Sequence, residues 1–140
     1  LNERFNLTRY LYYFAISCFA LKSIVQLVSL IPEVSQVAYQ HRNFVIGFIH
    51  LTMLGIISGF LFSFILQSKL VINDKWLHVG ISAFVLGFLL TEILLIVQGC
   101  LFYFERGFMP NYHVLLFLFS GLLPLGIILI IINILKYKHS

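Results

Sequence analysis

Four long apolar runs dominate the pattern of hydrophobic and polar positions along the chain. They extend over residues 10–31, 44–66, 76–104 and 113–135. Charged side chains interrupt them at only two positions, Lys22 and Glu92. A helix needs about 20 apolar residues to cross the ~30 Å hydrocarbon core of a bilayer, and each run reaches that length. The pattern therefore predicts four transmembrane α-helices.

A closed β-barrel, the other structure that can cross a bilayer, is excluded by the same pattern. Barrel strands alternate apolar and polar residues with a period of two, whereas residues 126–135 read GIILIIINIL without alternation. Short polar connections join neighbouring runs, so consecutive helices should be antiparallel. We predict an all-α, up-down-up-down membrane bundle that forms one domain over residues 1–140.

The composition agrees with a chain that has lipid as its solvent. Hydrophobic residues make up 61% of the sequence and charged residues only 10%. Soluble domains carry about 25% charged residues, because they must cover their own surface. The chain begins with Leu1 instead of Met, which predicts a processed chain or a fragment of a longer polytopic protein. Cys18 and Cys100 lie inside apolar runs and are predicted to be buried thiols.

The connections contain residues that end or begin helices. Pro32 should end or kink the first helix, and residues 33–39 should form an amphipathic turn or two at the membrane interface. Asn73 and Asp74 form a predicted turn and cap before the third helix. Gly107 and Pro110 separate the third helix from the fourth.

The basic residues lie at the predicted helix ends and are divided unequally between the two sides. One side has six and the other two: Arg4, Arg9, Lys69, Lys75, Lys136 and Lys138 against Arg42 and Arg106. Cytoplasmic loops carry the excess of Lys and Arg, so both termini are predicted to be cytoplasmic. This distribution explains the net charge of +4 without a basic patch for nucleic acid.

The first predicted helix has a polar face. Its members follow each other at steps of four, four, three and four residues: Cys18, Lys22, Gln26, Ser29 and Glu33. Lipid cannot hydrate an ammonium group, so this face should turn inward. Lys22 and Glu92 each lie two residues past the midpoint of their run, at the same depth about 3 Å beyond the membrane centre.

Equal depth predicts a Lys22–Glu92 ion pair or hydrogen-bonded network. Such a pair could clamp the helices together, or it could be part of a proton or ion relay. Snorkelling of Lys22, or partners outside this chain, is the remaining alternative.

Small residues in the second and fourth helices indicate close packing and bending. Gly55 and Gly59 have the GxxxG spacing that permits close approach of a second helix, either in this chain or in a dimer. Gly121, Pro124 and Gly126 predict a bend or local break in the fourth helix.

His50 lies well inside the second helix, where an imidazole needs a partner. The candidates are Gln26, Gln98 and a backbone carbonyl, and Gln26 is favoured because its estimated depth is similar. The other four histidines lie near helix ends or in connections. They are His41, His78, His113 and His139.

The residues around His50 resemble a known helix signature. His50 is followed by Leu51, then by Gly55 and Gly59, which is similar to the repeated signature of haem–copper oxidase subunit I and of NnrS-like membrane proteins. The stretch 19–64, with RNFVIGFIHL at its centre, is also similar to polytopic membrane proteins of Bacteroidetes-type bacteria that have no firm activity.

This resemblance implies a bacterial inner-membrane protein with His50 as an axial ligand of a b-type haem. A bis-histidine haem needs a second imidazole at the same depth. His113 differs from His50 in depth by about 7 Å. Helices outside the chain would therefore have to supply the second ligand.

Motifs of soluble enzymes, catalytic residues and metal-ligand clusters are absent from the sequence, which favours a role other than catalysis. Three functions remain open. The leading one is a structural or subunit role within a larger membrane protein or complex, with Lys22, Gln26, His50, Glu92 and Gln98 as a buried polar network. The others are a haem-binding redox protein and a transporter or proton-conducting element that uses Lys22, Gln26 and Glu92.

Overall fold

The computed structural model describes residues 2–68 and 74–138, and the side chains of residues 6–68 and 74–136. Four of its helical stretches are long and apolar enough to cross a membrane: Asn6–Val28, Arg42–Gln67, Lys75–Tyr103 and Tyr112–Lys136. The all-α bundle of four membrane-spanning helices is thereby confirmed. The predictions on Leu1, Lys69, Asn73 and His139 fall outside the described residues.

The described chain contains six α-helices. They are α1 (Asn2–Val28), α2 (Pro32–Gln40), α3 (Arg42–His50), α4 (Ser58–Gln67), α5 (Lys75–Tyr103) and α6 (Tyr112–Lys138). The second span is a continuous helix made of α3, a π-helical segment over Leu51–Ile57, and α4. A π-helical turn is rare, and it is often found at functional sites.

The turn between α1 and α2 is set by Pro32. Proline disfavours the helical conformation in the residue before it, and Ile31 is extended, with φ −74° and ψ 123°. α1 consequently ends at Val28, three residues earlier than predicted. Pro32 then begins α2, where its missing N–H costs nothing. The amphipathic segment predicted here is a nine-residue helix, and none of its residues is buried.

Helix α5 is the centre of the bundle. Buried residues make up 56% of its most apolar window, against 11–22% in the other three spans. α6 packs against α5, α3 packs against α5, and α1 packs against α4 and the π-helical segment. The main hydrophobic core joins the first half of α1 to α4, α5 and α6: Leu11, Phe62, Leu66, Leu77, Ile81, Phe84, Val85 and Ile130.

The two glycines of the GxxxG pattern contact α1 of the same chain. A Cβ atom on Gly55 would stand 3.0 Å from the sulfur of Cys18, and one on Gly59 would stand 3.0 Å from the Cβ of Ala15. Small residues therefore face each other across this interface, which allows the close approach. The pattern serves packing within the chain, the first of the two predicted alternatives.

The contact between α5 and α6 is also made by glycines. A Cβ on Gly126 would lie 2.6 Å from the carbonyl oxygen of Gly80 and 2.8 Å from the backbone nitrogen of Phe84. Farther along the same interface, a Cβ on Gly87 of α5 would lie 2.8 Å from the Cβ of Leu122 of α6. The two backbones touch here. α6 continues through Pro124 as one helix, so of the predicted bend or local break the break is absent, and the bend stays a prediction.

Candidate functional site

Glu92 is the acidic side chain that lies deepest in the described spans, and α5 directs it at the second span. Its Oε2 atom would be 3.4 Å from a Cβ built on Gly47, so the carboxyl group lies against the backbone of α3 at Gly47. Its Oε1 atom is buried and has no hydrogen-bond partner among the described residues. A buried acceptor without a partner costs about 1–3 kcal/mol.

Lys22 approaches the same region from α1. Its Nζ atom lies 5.9 Å from the centroid of the Phe48 ring, a cation–π geometry that favours an ammonium group in an apolar environment. Within the described ranges no ion pair of 4.0 Å or less joins Lys22 to Glu92. The predicted pair is thus not formed in this structure.

The reason lies in direction, not in depth. Lys22 is five residues and Glu92 three residues past the midpoint of its span, a difference of about 3 Å in height. Yet their contacts are with two adjacent residues of α3, because Glu92 meets Gly47 while Lys22 meets Phe48. Side chains on adjacent helical positions point about 100° apart, so the two charged groups approach α3 from different directions. We call Lys22, Gly47, Phe48 and Glu92 the polar site.

The second half of α1 leaves the bundle just beyond the polar site. Cys18 is buried and Lys22 half-buried, but Gln26, Ser29 and Glu33 are all exposed. The apolar side chains between them are exposed as well: Phe19, Leu21, Ile24, Val25, Leu27 and Val28. The polar face of α1 therefore turns inward only over its first two members. We call residues 19–28 the open half of α1.

His50 forms its hydrogen bond with its own helix. Its Nδ1 atom lies 3.0 Å from the carbonyl oxygen of Ile46. A carbonyl can only accept, so Nδ1 donates this hydrogen bond. Of the three predicted partners, the backbone carbonyl is the one observed. Gln26, the favoured candidate, is exposed, because α1 has left the bundle at that level.

Gln98 is fully buried, and it holds the connection between α5 and α6. Its Nε2 atom donates to the carbonyl of Gly107 at 3.2 Å, and its Oε1 atom accepts from the N–H of Met109 at 3.0 Å. In the part of the chain that the structure describes, no hydrogen bond links the members of the predicted polar network to one another. The predicted network is therefore three separate groups: the polar site, His50 with the Ile46 carbonyl, and Gln98 with the α5–α6 connection.

Several buried polar side chains were not predicted. Tyr112 begins α6 and its hydroxyl lies 3.5 Å from Asn43 Nδ2. Ser63 and Asn133 are 2% and 3% exposed within apolar helices. Their polarity within apolar runs was the only signal for them in the sequence. The prediction of buried thiols holds for Cys18, whereas Cys100 is exposed, since it points away from both helices that pack on α5.

Metal and haem binding depend on how many ligands converge. The described residues contain no group of three or more His, Cys, Asp or Glu side chains that could hold a metal ion. His113 is exposed and packs against Phe108 and Tyr112, and His41 stacks on Phe102. Among the described residues, His50 thus lies in no cluster of metal-binding side chains, and its ring bonds to a backbone carbonyl.

Models of known protein families, curated proteins and solved structures were compared with the chain, and none matches it. The resemblance around His50 therefore stays a prediction.

Proposed function

We propose that this multi-pass membrane protein is one part of a larger membrane protein or complex, in which further transmembrane helices cover the open half of α1 and complete the polar site. The four apolar spans support the membrane assignment. The observation that supports the larger assembly is the Oε1 atom of Glu92, which is buried without a hydrogen-bond partner among the described residues.

The free-energy cost of burying the Glu92 Oε1 atom without a hydrogen bond is the reason to expect a partner from outside the chain. A membrane interior has no water to satisfy a carboxyl oxygen, so a partner must come from a protein group. Gly47, the residue opposite Glu92, has no side chain to offer. The nearest cation, Lys22, is held over Phe48. Glu92 is only half-buried, so a neighbouring helix that brings a hydrogen-bond donor to the accessible part of its side chain would lower the cost.

The open half of α1 provides the surface for such a helix. Ile24 and Leu27 are 56% and 66% exposed, and Lys22 lies on the same half about 9 Å from the end of the span at Val28. Lipid can cover the apolar side chains, but it cannot pair with an ammonium group at that depth. A helix packed here would cover both kinds of side chain.

Photo-crosslinking in native membranes tests this proposal. A benzoylphenylalanine at Ile24 should give an adduct with a transmembrane polypeptide. The control is Leu86 on the lipid-facing side of α5, which is 54% exposed and should give lipid adducts only. The Ile24 adduct should also weaken in Glu92→Leu, since the partner would lose its polar contact. Lipid adducts alone at Ile24 would contradict the proposal.

A haem-linked redox role is the second candidate. The observation in its favour is the orientation of His50, because metal-bound histidines usually donate their other ring N–H to a carbonyl or carboxylate, as Nδ1 does here. One imidazole fits a shared haem, whose second ligand would come from another helix, and does not fit a haem held by this chain alone. When bound, the group would supply one-electron chemistry.

An absorption spectrum of protein purified from native membranes tests the haem. A Soret band that is lost in His50→Ala and kept in His113→Ala would support it. A folded protein without a Soret band would end this candidate.

A transport or proton-conducting role for Lys22, Gln26 and Glu92 remains a prediction. Gln26 is exposed, and the described residues provide no hydrogen bonds that connect the three. Proton flux in liposomes should disappear in Glu92→Gln if the relay exists, and flux that survives this change would exclude it.

We also propose that both termini face the cytoplasm of a bacterial inner membrane. Lys75 and Lys136 lie exposed at helix ends on one side, and Arg42 and Arg106 lie exposed on the other. A C-terminal fluorescent protein should then fluoresce, whereas alkaline phosphatase at the same position should be inactive. The opposite result would reverse the orientation.

A further inference from the structure

The end of α5 fixes the position of Arg106. Glu105 has a left-handed backbone, with φ 55°. The N–H of Arg106 donates to the carbonyl of Leu101 at 2.9 Å, and the N–H of Glu105 donates to that of Phe102 at 3.0 Å. These two bonds define a Schellman motif, which commonly folds the residue after the left-handed position back onto the last turn of the helix. The backbone therefore places the Arg106 stem beside Leu101.

A groove of about 400 Å³ lies on the lipid-facing side of this last stretch of α5. It is lined by Ile96, Val97, Cys100, Leu101, Phe104 and Arg106. Apart from the arginine, these are apolar or weakly polar residues on successive turns of one helix face. The groove is thus an apolar surface furrow along the membrane span, with the cationic group of Arg106 at the end nearest the interface.

We propose that this groove binds an anionic phospholipid, with an acyl chain along α5 and the phosphate on the Arg106 guanidinium. Charge complementarity selects the occupant, because a guanidinium binds phosphate oxygens through two parallel hydrogen bonds. Within the described residues no acidic side chain forms an ion pair with Arg106. Tyr103 and Phe104, which are 53% and 67% exposed, lie at the level that interfacial aromatics occupy.

The site is independent of the proposed assembly. The groove begins one turn beyond Glu92, with Ile96, and follows the side of α5 that carries the exposed residues. Glu92 of the polar site instead points from α5 toward Gly47 of α3. A failure to find partner helices at the open half of α1 would leave the lipid proposal intact, and the reverse also holds.

Native mass spectrometry of the detergent-purified protein tests the proposal with phosphatidylglycerol and phosphatidylcholine in equal amounts. The protein should retain phosphatidylglycerol preferentially. Arg106→Gln should reduce that preference about fivefold, as expected for the loss of one arginine near an anionic headgroup. Arg42→Gln is the matched control, because Arg42 is predicted to lie on the same membrane side and does not line this groove, and it should leave the preference unchanged.

Two further measurements separate a lipid site from a site for free phosphate. Cys100→Trp fills the groove at an exposed position, so the fold should persist while retention of phosphatidylglycerol falls to the level of Arg106→Gln. Millimolar inorganic phosphate should not displace the lipid. Equal loss in Arg42→Gln and Arg106→Gln, full retention in Cys100→Trp, or displacement by phosphate would each overturn the proposal.

Discussion

Gly126→Ala is expected to lower the free energy of unfolding by about 1–3 kcal/mol, the usual cost of overpacking a close interface. The added Cβ would stand 2.6 Å from the Gly80 carbonyl and 2.8 Å from the Phe84 nitrogen. Both are backbone atoms, which cannot turn aside as a side chain would. α6 must therefore move away from α5, its main packing partner. Reversible unfolding of the detergent-purified protein in dodecyl sulfate measures the loss.

Gly121→Ala is the matched control on the same helix. A Cβ at Gly121 would meet no atom within 4 Å in the described part of the chain. Alanine is also the better helix former, so the free energy of unfolding should stay the same or rise by up to about 1 kcal/mol. Equal destabilisation by the two substitutions would show that the α5–α6 backbones are not in contact at Gly126.

Gln98→Leu should destabilise the protein by about 1–3 kcal/mol for a different reason. Gln98 is fully buried and binds the backbone of the α5–α6 connection at Gly107 and Met109. Leucine would remove both hydrogen bonds, each of which contributes about 0.5–1.5 kcal/mol to stability. Unfolding in dodecyl sulfate measures the stability, and hydrogen exchange should increase at Met109.

The control for this substitution is Gln26→Leu on the open half of α1. Gln26 is exposed, so the same change of side chain should alter stability by no more than about 0.5 kcal/mol. If both substitutions had the same effect, the bonds of Gln98 to the connection would contribute nothing.

The spans could be predicted from the sequence because they depend on a local property. An apolar run of about 20 residues has few alternatives to a membrane helix, and all four runs became spans. Pro32 also acts locally, through the residue before it. The predicted end of α1 differed by three residues because Leu30 and Ile31 are apolar, although the chain has already turned there.

The partners inside the bundle could not be predicted, because they depend on how each helix is rotated and tilted. Depth counting placed Lys22 and Glu92 at nearly the same height, and the heights agree within about 3 Å. It gave no information on rotation, and the two side chains meet different residues of α3, Gly47 and Phe48. The departure of α1 from the bundle likewise leaves Gln26 exposed, while His50 bonds to the Ile46 carbonyl.

The close contact at Gly126 could not be predicted from the sequence for a similar reason. In the sequence, its position two residues after Pro124 indicated a bend. In the structure, it is the place where α6 touches the Gly80 backbone of α5. Only the three-dimensional pairing of α5 with α6 distinguishes the two roles of the same glycine.

Among the described residues, the Oε1 atom of Glu92 has no hydrogen-bond partner and Lys22 forms no ion pair with Glu92. Unfolding of the purified Glu92→Leu protein tests this directly, with Lys22→Met made in both backgrounds. Because an unpartnered buried carboxyl group contributes no stability, Glu92→Leu should leave the free energy of unfolding unchanged or raise it by about 1 kcal/mol, and the two substitutions should be additive. A loss of about 3–5 kcal/mol that depends on Lys22, the cost of breaking a buried ion pair, would contradict the account.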